Sequence, residues 1–215
     1  MRILWLCNIC PPAVAAALGQ SYSVREGWLT GALNRFWAED GDSMQLAVCF
    51  PAEGELAGLQ KKIPLKEFKT DHTGGPYREK EVSVYGFRED LKRPEVYDCG
   101  MEERFQEILE DFRPDLVHIF GTEFPHALAM VKSFGRPERI LVGIQGLVGE
   151  CAKSYMADLP AQVQGKATFR DILRKDSLRQ QQEKFRIRGE RERQVLQGCG
   201  HVTGPVSYTH LTLPT

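Results

Sequence analysis

The chain has 215 residues, with 28 Lys+Arg against 29 Asp+Glu for a formal net charge of -1, and an apolar fraction of 42%. This composition excludes disordered and collagen-like chains, leaves room for a full core without disulfide or metal, and lacks the basic excess that marks a nucleic-acid binder. Six scattered cysteines (Cys7, Cys10, Cys49, Cys99, Cys151, Cys199) in a chain of this size do not form a disulfide scaffold and point to a reducing cytoplasm.

The first apolar run, Ile3 to Cys7, is too short for an export signal or a membrane span and is followed by Asn8, Pro11 and Pro12. It reads as a buried strand, Arg2 to Cys7, running into a loop rich in Pro, Ala and Gly. A helix is predicted from Gly27 to Glu39, with Trp28, Leu29, Leu33, Phe36 and Trp37 on one face, and a second strand from Gln45 to Phe50. Glu53 to Glu79, punctuated by Gly and Pro, reads as mostly irregular, and Glu81 to Phe87 as an alternating strand. A helix from Gly100 to Phe112 stops at Pro114. Leu116 to Phe120 and Arg139 to Ile144 have the near-continuous apolar character of strands buried on both faces of a parallel sheet, with a helix from Pro125 to Phe134 between them. A short helix near Val148 to Asp158, a Pro/Gly linker, a long charged helix from Thr168 to Gln197 and a strand at His201 to Thr203 complete the order. Strands alternating with amphipathic segments predict one α/β domain over residues 1–204, Rossmann-like and doubly wound, with a mainly parallel sheet. Residues 205–215, uncharged and Thr-rich, read as a foreign tail outside that domain.

Ligands of such sheets sit at the carboxyl ends of the strands, where loops and helix N-termini present N–H groups. Three segments follow predicted strands directly: Asn8 to Gly27, Gly121 to His126, and Gln145 to Gly149. In the first, Gly27 opens a helix and either admits an anion or serves as a plain cap. In the second, Glu123 and His126 follow His118 closely, and Thr122 is placed to cap the helix beginning at Phe124-Pro125. A carboxylate and two imidazoles near a helix N-terminus suit a sugar hydroxyl and an anionic leaving group, whereas a lone histidine in an apolar strand more often belongs to the core. Asp40-Gly41-Asp42 precedes a strand and reads as a turn at the opposite edge. Cys7-x-x-Cys10 runs into Pro11-Pro12 with no second cysteine pair, so neither a redox pair nor a zinc site is favoured. No dinucleotide or Walker fingerprint is present. From Lys166 to Arg193, ten basic residues meet five acidic ones, a solvated face that leaves room for contact with an acidic membrane surface.

Met1-Arg-Ile-Leu-Trp5, Gly27-Trp-Leu29, the run Arg113-Pro-Asp-Leu-Val-His-Ile-Phe-Gly-Thr-Glu-Phe-Pro-His126, Ile144-Gln-Gly-Leu147, and Arg188-Gly-Glu-Arg191 through His201-Val-Thr-Gly204 together resemble the N-terminal half of a bacterial family-four glycosyltransferase. The resemblance covers nearly all of residues 1–204. It implies a retaining enzyme of GT-B fold in the cytoplasm, at most peripheral to the inner face of the membrane, in polysaccharide biosynthesis. Such an enzyme moves a sugar from a nucleotide-sugar donor to a glycan or lipid-linked acceptor, without metal. It further implies a C-terminal domain that binds the donor, so that this half alone is inactive. By carry-over, Gly27 approaches the donor phosphates, His118, Glu123 and His126 line the reacting centre, and Thr122, Gln145 and Gly146 border the acceptor. The alternatives are a non-catalytic α/β ligand-binding or regulatory module and an anionic-surface binder using the Lys166 to Arg193 helix.

Overall fold

The computed structural model describes residues 1–22, 27–39, 43–66, 79–174 and 176–204. Residues 23–26 of the Asn8 to Gly27 loop, the expected turn at Asp40-Gly41-Asp42, and the expected tail at 205–215 lie outside the described residues. The protein is α/β, Rossmann-like and doubly wound, with mainly parallel strands. It divides into two compact units, one of Met1–Glu89 with Glu103–Phe120, the other of Asp90–Glu102 with the chain from Gly121 onward.

In the first unit, β1 (Arg2–Leu6), β2 (Gln45–Ala52), β3 (Gln60–Lys66), β4 (Glu79–Arg88) and β5 (Leu116–Phe120) lie in the order β3-β4-β2-β1-β5. β1 pairs in parallel with β2 and β5, and β2 with β4, while β3 runs antiparallel to β4. Period-2 alternation sends the apolar side chains to both faces. Ile3, Trp5, Val48, Phe50, Val82 and Val84 pack with Leu29, Leu33 and Trp37 of α2 (Gly27–Glu39) and with Ala13 and Val14 of α1 (Pro12–Ala17). On the other face Phe87 meets Phe105 of α3 (Gly100–Phe112) with ring centroids 5.0 Å apart, and Tyr85 meets Phe112. Helices thus cover both faces, which is why the central strands β1, β2 and β5 are predominantly apolar.

Two elements stand where a loop was expected. Proline at the first helical position and a run of alanines make α1 a helix despite the flanking Pro and Gly. β3 occupies part of the irregular stretch, and as the outermost strand it tolerates Pro64, which lacks the N–H a central strand would need.

The second unit holds α4 (Pro125–Phe134), β6 (Ile140–Gly143), α5 (Val148–Ser154), α6 (Ala161–Gln164), α7 (Phe169–Arg174), α8 (Leu178–Gln197) and β7 (His201–Thr203), with β6 and β7 parallel. The segment before α3 belongs here: Arg191 donates to the Pro94 carbonyl at 2.6 Å, and Lys132 lies 4.5 Å over the Tyr97 ring and 3.2 Å from Glu102. The single long helix expected over Thr168–Gln197 is two. Ser177 starts α8 afresh, its N–H donating to the Gln180 side chain at 3.0 Å, a local cap that outcompetes continuation from α7. The helix expected to reach Asp158 stops at Ser154.

Candidate functional site

In the first unit, α2 begins at Gly27, where an added Cβ would meet nothing within 4 Å. The fold therefore makes no steric demand for glycine there. The next residue, Trp28, is 48% exposed and sets its ring edge-on to Phe120 at 5.6 Å. Phe120 in turn packs on Trp5 at 5.1 Å and on the His118 imidazole at 3.9 Å. His118 is thus the polar member of an aromatic cluster at the carboxyl end of β5, and its Nε2 is buried without a hydrogen-bond partner. Burial pulls its pKa down from the ordinary 6.5 to about 4, so the ring is neutral at pH 7, able to accept a proton or hydrogen bond but not to hold a phosphate by charge.

This depression fixes a pH response. The unfolded chain takes up the His118 proton near pH 6.5 and the folded one only near 4, so stability is full above 6.5 and falls as pH drops through that window. The loss from this one group is expected to be about 3 kcal/mol, and denaturant melts of His118→Phe beside wild type isolate it. Parallel pH profiles for the two proteins would show that the imidazole is solvated instead.

The thiols are set apart by burial. Cys7 and Cys49 are fully enclosed and burial raises both well above the usual range, while Cys10 is pushed up to about 12 by the same cause. A thiol held protonated is a poor nucleophile and a poor ligand. Cys99 and Cys151 are exposed. Alkylation of the native protein is expected to label these two first and to leave Cys7 and Cys49 untouched until denaturant is added, as peptide mass mapping would show. Early labelling of Cys7 would reopen the redox reading of Cys7-x-x-Cys10.

The second unit gathers the remaining predicted residues around the loops that follow β5 and β6. Thr122 does not cap α4: the cap position belongs to Phe124, with Pro125 at the start of the helix and no side-chain cap bond. Its hydroxyl instead donates to Glu192 on α8 at 2.8 Å. The same buried carboxylate accepts the backbone N–H groups of Val148 and Gly149 at 2.9 Å each, two of the donors that the first turn of α5 leaves without an intrahelical partner. This first turn is thus filled by the protein's own carboxylate. Close approach of the helices makes the reach feasible. A Cβ on Gly189 would lie 2.6 Å from the Gly149 Cα, so glycine at 189 is what lets α8 cross α5 this closely.

Glu123 is half-buried, with a carboxylate oxygen 4.0 Å from where a Gly146 side chain would begin, and Gln145 beside it is exposed. Arg188 donates to the Glu123 carbonyl at 3.1 Å and lies 4.9 Å over the Phe185 ring. Burial lowers its pKa, an effect opposed by Glu123, Glu95 and Glu192. His126 is fully buried and stacks on Phe124 at 5.6 Å, so it shapes the loop from beneath and presents no surface to solvent. Gly27 and His118 thus belong to the first unit, and Thr122, Glu123, His126, Gln145 and Gly146 to the second. Glu192 and Arg188 were given no site role from sequence because both sit in a highly charged helical run; the small residues at 149 and 189 were the available signal.

Among the described residues no three His, Cys, Asp or Glu side chains are grouped to hold a metal ion, and no helix is long and apolar enough to cross a membrane. Neither a protein-family model nor a curated protein matches the sequence.

Proposed function

We propose that this chain is the acceptor-side domain of a retaining glycosyltransferase that moves a sugar from a nucleotide-sugar to a glycan or lipid-linked acceptor. The observation that carries the reading is the Glu123 carboxylate beside Gly146, at loops leaving the carboxyl ends of parallel strands, where ligands of doubly wound sheets bind. A half-buried carboxylate next to an exposed carboxamide, Gln145, with the small Gly146 leaving space alongside, suits an acceptor hydroxyl: the Glu123 carboxylate accepts its one O–H hydrogen bond and takes that proton as the oxygen attacks, while the carboxamide hydrogen-bonds a neighbouring polar group of the acceptor. In the transfer, that oxygen bonds to the donor's anomeric carbon, the carbon–phosphate oxygen bond breaks, and the diphosphate departs with the electron pair. Gly27, at the start of α2 in the first unit, is assigned to the donor phosphates by the resemblance of Gly27-Trp-Leu29 alone. Thr122, committed to Glu192, and His126, enclosed, hold the loop in shape. His118 contributes a neutral ring.

The test is ligand-observed NMR on the chain with a panel of oligosaccharides, a lipid-linked saccharide mimic and nucleotide-sugars. At least one saccharide is expected to bind, weakened about tenfold by Glu123→Gln, the loss of one charge-assisted hydrogen bond. Nucleotide-sugars are expected to bind weakly and to lose that binding in Gly27→Val, a change made in open space. No turnover is expected, since the reading assigns donor activation to a second domain and proximity is the larger part of the catalysis. Turnover by this chain, micromolar nucleotide-sugar binding, or saccharide binding indifferent to Glu123→Gln would each overturn it.

A further inference from the structure

The cations that the sequence strings from Lys166 to Arg193 fall into two groups. Along α8, Arg186 pairs with Glu183 at 2.7 and 2.8 Å, Arg193 with Glu190 at 2.5 Å, and Lys184 with Asp176 at 3.3 Å. Arg188 and Arg191 turn to backbone carbonyls. These charges are answered within the fold.

Ahead of α8 the balance differs. Residues 166–179 carry five basic side chains against two acidic ones. Lys166, Arg170, Arg174 and Arg179 are exposed, and among the described residues none of the four forms an ion pair within 4 Å. Both acids are engaged locally: Asp171 accepts the Thr168 N–H at 2.8 Å at the start of α7, and Asp176 accepts from Gln181 and Lys184. Among these cations stand Phe169, 81% exposed, and Leu173, 74% exposed, the two most exposed large apolar side chains among the described residues. Four positions apart on a helix, they share one side of α7.

Exposing a phenylalanine and a leucine this far is unfavourable in water and marks an interaction surface. A protein groove reads a helix through anchors spread over two turns or more, and a stable protein interface covers about 800 Å² per partner. α7 has six residues and one such pair, too little for either. A bilayer interface asks for no complementary shape. It accepts isolated apolar side chains to the depth of the acyl boundary while flanking Lys and Arg reach the phosphates, and an anionic leaflet rewards each unpaired cation.

We propose that α7 is a membrane-docking element, which places Phe169 and Leu173 in the interface of an anionic bilayer with Lys166, Arg170, Arg174 and Arg179 against the headgroup phosphates. The inference stands apart from the sugar-transfer reading and needs no activity to test.

The experiment is co-sedimentation of the full chain with vesicles of phosphatidylcholine alone and of phosphatidylcholine with about one third phosphatidylglycerol, at low and high salt. Binding to the anionic vesicles is expected to be about tenfold tighter or more, and to weaken as salt rises. Phe169→Ser with Leu173→Ser is expected to lose about tenfold on the same vesicles, and Arg170→Glu with Arg174→Glu to remove the preference for anionic lipid. All four positions are exposed, so unchanged thermal melts accompany the variants. Equal affinity for both vesicles, no binding at low salt, or binding indifferent to Phe169→Ser with Leu173→Ser would overturn the proposal. So would self-association of the wild type without lipid that this apolar double variant removes, which would assign the pair to a second copy of the chain.

Discussion

Glu192→Ala is expected to destabilise the second unit by about 3 to 4 kcal/mol, the loss of a buried anion serving three donors at once. The Thr122 hydroxyl and the Val148 and Gly149 amides all end on its carboxylate at 2.8 to 2.9 Å. Removing it strands two backbone N–H groups at the first turn of α5, where no intrahelical carbonyl can replace it, and leaves a void against the Gly149–Gly189 crossing. Glu192→Gln should cost less, about 2 kcal/mol, because one oxygen remains while the amide nitrogen faces a donor. Thr122→Val should cost least, as it removes one hydroxyl and keeps its volume. Denaturant melts of the three variants rank them, and amide exchange at Val148 and Gly149 should accelerate in Glu192→Ala. A loss below about 1 kcal/mol would mean that water enters and takes over the carboxylate's bonds.

Gly86→Ala is expected to cost about 3 kcal/mol in the first unit. A Cβ built on Gly86 falls 1.7 Å from the Leu56 carbonyl oxygen and 2.9 Å from its carbon. The obstruction is backbone, so no rotamer relieves it. The tight 3-10 turn Gly54–Gly58 must lift off β4, and that turn leads into the Leu59 carbonyl, which accepts the Gly86 N–H at 2.9 Å and Arg104 Nη2 at 3.0 Å. Arg104 Nε also donates to the Gly86 carbonyl at 3.2 Å, so the displacement strains a guanidinium clamp as well as a ladder bond. Gly58→Ala, where an added Cβ meets nothing within 4 Å, is the control and should change stability by less than about 1 kcal/mol. Equal melts for the two variants would show that the turn shifts freely.

The parts of the fold legible in the sequence are those governed by local pattern. Leu116–Phe120 and Gln45–Phe50 announce central strands because burial on both faces leaves almost no polar residue, and α3 announces itself by its 3.6-residue stripe. β3 was hidden because its own residues, with three lysines and a proline, suit an outer strand more than a propensity scale suggests. The break at Ser177 was visible as Ser-x-x-Gln, yet the helical pattern on either side masked it. Of the candidate site, the loops were legible from their position after strands, and the roles within them were not. Whether Thr122 caps its own helix or donates to a carboxylate 70 residues away is decided by the helix crossing, a tertiary fact.

The outer strand β3 bears on how the protein behaves when concentrated. Proline fits in a ladder only where its nitrogen faces away from the partner strand, so Pro64 leaves the outer side of β3, the end strand of the sheet among the described residues, short of one donor in mid-strand. Lys61 and Lys62 are exposed just before it, Lys62 lying 3.6 Å from the Glu81 carboxylate of β4. A second copy seeking to extend the sheet would meet a missing hydrogen bond flanked by charge it must repel or desolvate, the arrangement by which open sheets resist growth into fibres.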